Sequence, residues 1–410
     1  MAGVRGWVRG LSLVASILAS PFGADDPGVK APSLSHLYSD SGKEDGYRLV
    51  WRARIGDGAD ARHAIFTRTV DSSGRTDGAP RLLVDPGPGG HALTPAVSSG
   101  VLVWVERRRG GRWAVHARNV EPGGKRFRLS RRARTAQGRP AILRNQSNRN
   151  LLVAWAGSGH RGVRARVVHE NGKRATSKVL TVAPAADRVS DPTLANRQAG
   201  FTIVLWTRTR SHDMRLHGRL VRTGTNKLNR PRALAGIDPR RVLDSDSRLT
   251  AVADEPTPAY DHLLYSGVGV AWSVRVHDSA GRRASAIVAQ VIDTEVKHRL
   301  DGPMTVALAR NPGRSVRHPR LAFSNKTELW HVVWAREASD GCGRVERALL
   351  RSAPSWQSRP LSRTVLSSPS DPGGCDPRHP TLASLDPSAS PDGRVLYAWE
   401  SGRHIAGAIR

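Results

Sequence analysis

The sequence predicts an all-β fold, a seven-bladed β-propeller made of four-stranded antiparallel blades. Three observations carry this. A segment that starts at Pro and ends at Trp recurs along the chain, its tryptophans being Trp51, Trp104, Trp155, Trp206, Trp272, Trp334 and Trp399. These stand about 51 to 66 residues apart, a period that marks repeat architecture before any other reading is considered. Gly and Pro punctuate the chain every few residues and no heptad pattern exists, which disfavours long helices.

Each unit parses into four strands. The first begins at Pro95, Pro140, Pro192, Pro319 or Pro380, because a missing N–H is tolerated at a strand start. Two worn copies complete the set, one at Pro32 and one at Ser247-Arg248-Leu249, where Ser replaces Pro. The second strand is a continuous apolar run into the Trp, such as Val101-Leu102-Val103-Trp104, as expected of a strand buried on both faces. The third alternates, as in Val163-Arg164-Ala165-Arg166-Val167-Val168, and is followed by turn sequences such as Glu170-Asn171-Gly172. The fourth is short, for example Leu82-Leu83-Val84. Four such strands repeated radially describe a propeller blade. The seven tryptophans are then packing residues between blades, with no catalytic role.

The ring is expected to occupy residues 31–410. Residues 1–23 carry Arg5, Arg9 and the apolar stretch Leu11 to Ala19, the layout of a secretory signal peptide. The last unit stops after a third strand, His404 to Arg410, and residues 16–20 sit where a ring-closing strand would be needed. Both readings stay open at this point. No run of eighteen apolar residues exists, so the sequence offers no membrane-spanning helix.

The formal net charge is +29, carried mostly by Arg. Basic residues occur in all seven repeats without interleaved aromatics, so the charge reads as surface decoration that adheres to polyanions non-specifically, not as a nucleic-acid face. Cys342 and Cys375 fall in loops expected on one rim of neighbouring blades. An even pair in an exported chain points to one disulfide, which would contribute ~3 to 4 kcal/mol in the chain-entropy model.

The cadence Pro-x-Leu-Ala, Val-Val-Trp, Ile-x-Ala-Gln and a Gly turn resembles the repeats of secreted bacterial β-propeller proteins, distantly sialidase-like in architecture. That resemblance implies a secreted or cell-envelope location. The Ser-x-Asp-x-Gly-x-Thr-Trp boxes of sialidases are missing, which weighs against their chemistry.

By analogy with such folds, ligands bind where loops enter the first strands and join second to third strands. The residues this places at the channel mouth are Arg139, Asp191, Asp246, Arg317, His318, Arg378 and His379, with Arg52, Thr94, Glu106, Arg107, His160 and Glu400 beside them. Arg139, Arg317 and Arg378 suit bidentate capture of a carboxylate or sulfate. Asp191 and Asp246 are the best pair for glycoside hydrolysis, which needs two carboxylates across a cleft. His318 and His379 lack the further ligands of a metal site, and no nucleophile elbow, phosphate loop or zinc motif appears, so neither cofactor nor metal is expected. Trp113 is the ring expected to be exposed for sugar stacking. The expected function is an exported non-enzymatic binding module for an acidic glycan or a surface protein. The alternative is a sialidase-like glycoside hydrolase.

Overall fold

A computed structural model of the chain describes residues 44–71, 76–145 and 150–176 without a break, with residues 16–17 and 30–38 and most of 178–236, 250–293 and 304–409. The described part is all-β. Its helical elements are two three-residue 3-10 turns, Gly58–Asp60 and Ser158–His160. The strands form six sheets. Unit two shows the plan, with strands His91–Ser98, Val101–Arg107, Ala114–Asn119 and Arg126–Arg128 pairing antiparallel in chain order. Its first two strands are joined through Ser99 and Gly100, both at positive φ (44° and 72°), the backbone that a two-residue hairpin turn requires. The one eight-stranded sheet holds units one and two, joined by a single parallel bridge between His63 and His91.

The Pro of units one to four, six and seven has a structural meaning that the strand-start argument misses. In unit six Arg317 lies opposite Ala335 but Arg320 lies opposite Val333, so the first strand carries one extra residue at His318-Pro319. The same slip occurs at Lys30/Ser33, Leu93/Ala96 and Arg378/Thr381. In unit three Gly138 N–H donates to Ala156 O while Ala141 lies opposite Ala154. In unit four the slip splits the first strand into Arg188–Val189 and Thr193–Arg197. A residue that cannot donate to the ladder sits where the ladder is interrupted, as a β-bulge allows. Thr94 and His318, the residues before Pro95 and Pro319, are held at φ 50° and 55°.

This register corrects the reading of unit five. Thr257 lies opposite Ala271, just before Trp272, as Ala96 lies opposite Val103 before Trp104. Thr257–Tyr260 is therefore the first strand proper, and Pro256, not Ser247, is the repeat's Pro in sequence.

Cores lie between consecutive units. Val103, Val115 and Leu129 of unit two pack with Val153 and Trp155 of unit three, and Tyr47, Trp51 and Phe66 of unit one pack with Leu396 and Ala398 of unit seven. All seven repeat tryptophans are at most 2% exposed. Gly269 of unit five is required by this packing, because a Cβ there would come within 2.7 Å of both Leu321 and Trp330 of unit six. Along the first strands, Lys30–Tyr38 lies beside His91–Ser98, then Ala141–Arg144, Thr193–Arg197, Thr257–Tyr260, Ser315–Ser324 and Pro377–Ser384, which lies beside Lys30–Tyr38 again. Ser16–Ile17 pairs antiparallel with His404–Ile409.

Part of the arginine excess is internal. Arg118, two residues beyond the partner of Trp104, donates to Leu83 O of unit one at 2.7 Å. Arg219 holds the same position after the partner of Trp206 and donates to Thr181 O and Val182 O of unit three at 3.1 and 2.8 Å. Burial lowers the pKa of both guanidiniums. Each satisfies carbonyls at the end of the preceding unit's last strand, a task for a long multi-donor side chain. Arg219→Met is expected to lower unfolding stability by about 1–3 kcal/mol, because the carbonyls lose a charged donor; urea denaturation checks this.

Candidate functional site

The predicted mouth residues divide by ladder position. Arg317 and Arg378 share the position before the bulge, whereas Arg139 occupies the bulge itself, in line with Thr94, Asp191, His318 and His379. The three arginines thus fall into two rows. Arg317 pairs with Glu337 at 3.2 Å, and that carboxylate also accepts from Ser315 Oγ at 2.5 Å. Asp191 reaches back over unit three: its Oδ1 is 3.5 Å from His160 Nδ1 and would lie 2.0 Å from a Cβ on Gly138. Asp246, Cys342 and Cys375 lie outside the described residues, and Arg378 and His379 are described by their backbone.

Two other carboxylates of the chain are committed to packing. Glu106 is 1% exposed and accepts from Trp104 Nε1 at 2.8 Å and from Arg126 at 2.7 and 2.9 Å. Glu346 does the same in unit six, accepting from Trp334 Nε1 at 3.0 Å and from Arg336 Nε at 2.6 Å. A buried carboxylate needs such donors to remain charged.

Imidazole, guanidinium and indole side chains meet where units one and two join. Gly90 O accepts from His63 N–H at 3.1 Å, which brings the start of unit one's third strand against the start of unit two's first. The two imidazoles then stand Nδ1 to Nδ1 at 2.8 Å. One ring donates and the other accepts, so the accepting ring is neutral. Burial holds His91 below the ordinary imidazole pKa, and the Arg107 and Arg52 guanidiniums push it the same way. His91 stacks on Trp113 with ring centroids 6.1 Å apart, and the Arg107 guanidinium lies 5.0 Å from the Trp113 centroid. Arg107 Nε and Thr94 Oγ1 are buried and meet no hydrogen-bond partner among the described residues.

Trp113 is thus not an exposed sugar platform. It is 9% exposed, in contact with both Arg107 and His91, and fixed by two backbone hydrogen bonds with Ala133, each 2.8 Å. Arg52 and Arg107 both act on His91, and Thr94 lies three residues beyond His91 in the same strand. His63 and His91 were not foreseen, since they meet across a unit boundary with 28 residues between them.

A comparison with family models finds no match, and a comparison with curated proteins finds none. Among solved structures, the chain is similar to an ulvan lyase of polysaccharide lyase family PL25, with TM-score 0.47 and 9% identity over 77% of this chain and 82% of that one. It is also similar to a Hadza microbial sialidase, with TM-score 0.42 and 11% identity over 88% of this chain and 73% of that one. A family-43 endo-arabinanase from Bacillus licheniformis has TM-score 0.36 and 11% identity over 66% of this chain and 92% of that one.

Proposed function

We propose that the chain closes as a seven-bladed β-propeller and binds an acidic glycan on the rim where units one and two meet. Closure is supported by the cyclic order of the first strands and by the core that units one and seven share. The pairing of Ser16–Ile17 with the last strand supports reading that segment as the closing strand. Deleting residues 1–20 is then expected to lower the thermal midpoint by leaving His404–Ile409 an open edge; an unchanged midpoint contradicts the closing role.

One observation carries the binding reading. At the junction of units one and two, Arg107, directly opposite His91 in the ladder, keeps its Nε buried without an acceptor beside a cation-flanked imidazole pair, and Thr94 Oγ1 is a second buried, unpartnered group on the same first strand. Buried donors call for an acceptor, and a carboxylate or sulfate would supply one together with the opposite charge. Hydrolysis by paired carboxylates has less to build on, because Asp191 faces His160 and Glu106 is enclosed by Trp104 and Arg126.

Calorimetric titration with galacturonan oligomers tests this. Arg107→Ala is expected to weaken binding about tenfold or more, the size of a lost charge-assisted hydrogen bond. No new reducing ends should form during incubation. Equal affinity in the variant, or turnover of the oligomers, overturns the reading.

A further inference from the structure

The formal charge is not spread evenly. Between Glu121 and Glu170 the sequence contains no carboxylate at all, while Lys and Arg recur throughout that interval. The fold then gathers its most basic part onto the candidate rim. The loop after Val101–Arg107 and the segment entering unit three are stitched together by the paired hydrogen bonds of Trp113 and Ala133. This sets Arg112 beside Arg132 and Arg134 and brings Arg108 and Arg132 together around His116, with Arg131 next in the segment and Arg109 leaning onto Gly89 on the unit-one side; all six are exposed.

The second segment is built to hold its course. Gln137 Nε2 donates to Arg131 O at 3.0 Å, Thr135 and Ser158 share a side-chain hydrogen bond, and Gly159 N–H donates to Ala136 O at 3.5 Å. The arginines therefore run from unit two to the loop of unit three, where Arg161 is also exposed. Glu106 is the carboxylate nearest in sequence to this track, and its oxygens are taken by Trp104 and Arg126, with Arg108 Nε 3.6 Å away. Asp191, against Gly138 and His160, stands at the far end of the track, and exposed guanidiniums crowded around so little counter-charge repel one another, a cost that an anion laid along them removes.

We infer that this arginine track is an extended binding surface for a linear acidic polysaccharide, continuing outward from the Arg107 site so that one chain is held by several acid groups at once. The inference rests on the acidic-glycan reading and sharpens it: the ligand is a polymer, and a single acidic sugar fills only the inner end. A nucleic acid fits less well. Single strands are held by stacking bases on exposed aromatic rings, and the one large ring of the track, Trp113, is closed off by Arg107 and His91.

The test is a binding series with galacturonan oligomers from disaccharide to dodecasaccharide, measured at several salt concentrations. A single-stranded oligonucleotide of equal charge serves as the competing probe. The triple variant Arg131→Ser, Arg132→Ser, Arg134→Ser is the partner, and since those side chains are exposed its thermal midpoint should match the wild type. Wild-type affinity is expected to rise with length. The triple variant should lose about tenfold on the dodecasaccharide, with a salt slope shallower by about two, and little on the disaccharide.

Length-independent affinity overturns the track, as does an oligonucleotide that binds as tightly as the dodecasaccharide and loses as much in the variant. If long oligomers bind and the triple variant weakens them while Arg107→Ala changes nothing, the track stands and the inner site falls. If short oligomers bind through Arg107 and length adds nothing, the inner site stands and the track falls.

Discussion

Acidifying the protein from pH 7 to pH 4 is expected to destabilise it by up to roughly 6 kcal/mol through two buried histidines, at ~1.4 kcal/mol for each pKa unit between folded and unfolded states. His116 stacks on Trp104 at 5.6 Å and is pushed down to about 3 by burial and by the guanidiniums of Arg126, Arg128, Arg108 and Arg132. His331 lies between units six and seven, 2.5 Å from the Tyr397 hydroxyl, and is pushed down to about 4 by burial and by Arg347. Both are neutral when folded. Their contribution is complete above the ordinary value of 6.5, because folded and unfolded chains then hold the same number of protons. As pH falls below 6.5 the unfolded chain takes up protons that the folded chain refuses, and stability is lost until the folded groups titrate near 4 and 3.

The chain supplies its own control. Phe66 stacks on Trp51 from the ladder position that His116 holds opposite Trp104. His116→Phe should therefore fold, and its urea midpoint should fall less steeply between pH 6.5 and pH 4 than that of the wild type. Superimposable pH profiles would show that His116 does not carry the acid sensitivity.

Trp104→Ala is expected to cost about 4 kcal/mol, within the range for emptying a large aromatic from a core. The ring is fully buried in the cluster that joins Val50, Ile65 and Val84 of unit one to Leu102 of unit two. Its loss opens a cavity between units, removes the surface on which His116 stacks, and takes the indole donor from Glu106. Denaturant titration would show the midpoint shift. A loss below about 1 kcal/mol would mean that the junction recloses around the gap and that the repeat tryptophans are not what holds neighbouring units together.

The second strands were legible because the signal is local: an apolar run ending in Trp can be buried on both faces only as an inner strand. The bulge at the Pro of units one to four, six and seven was not, since an extra residue shows itself only against a partner strand. Unit five went astray at Ser247 although the separation of Pro256 from Trp272 matches that of Pro140 from Trp155 within one residue. The site was half legible. The ladder positions of Arg52, Thr94 and Arg107 follow from strand order, but the pairing of His63 with His91 arises where two units meet, and no spacing within a repeat encodes it. Counting charge over whole repeats does not bring out the acid-free interval between Glu121 and Glu170, which shows only when the carboxylates are placed one by one.

The most direct test of the binding site is a crystal structure with a galacturonan oligomer bound. A carboxylate should lie within hydrogen-bonding distance of Arg107 Nε, beside His91, with the rest of the sugar chain leading toward Arg131 and Arg132. An oligomer seated on any other surface, with the junction of units one and two bare, would contradict the account.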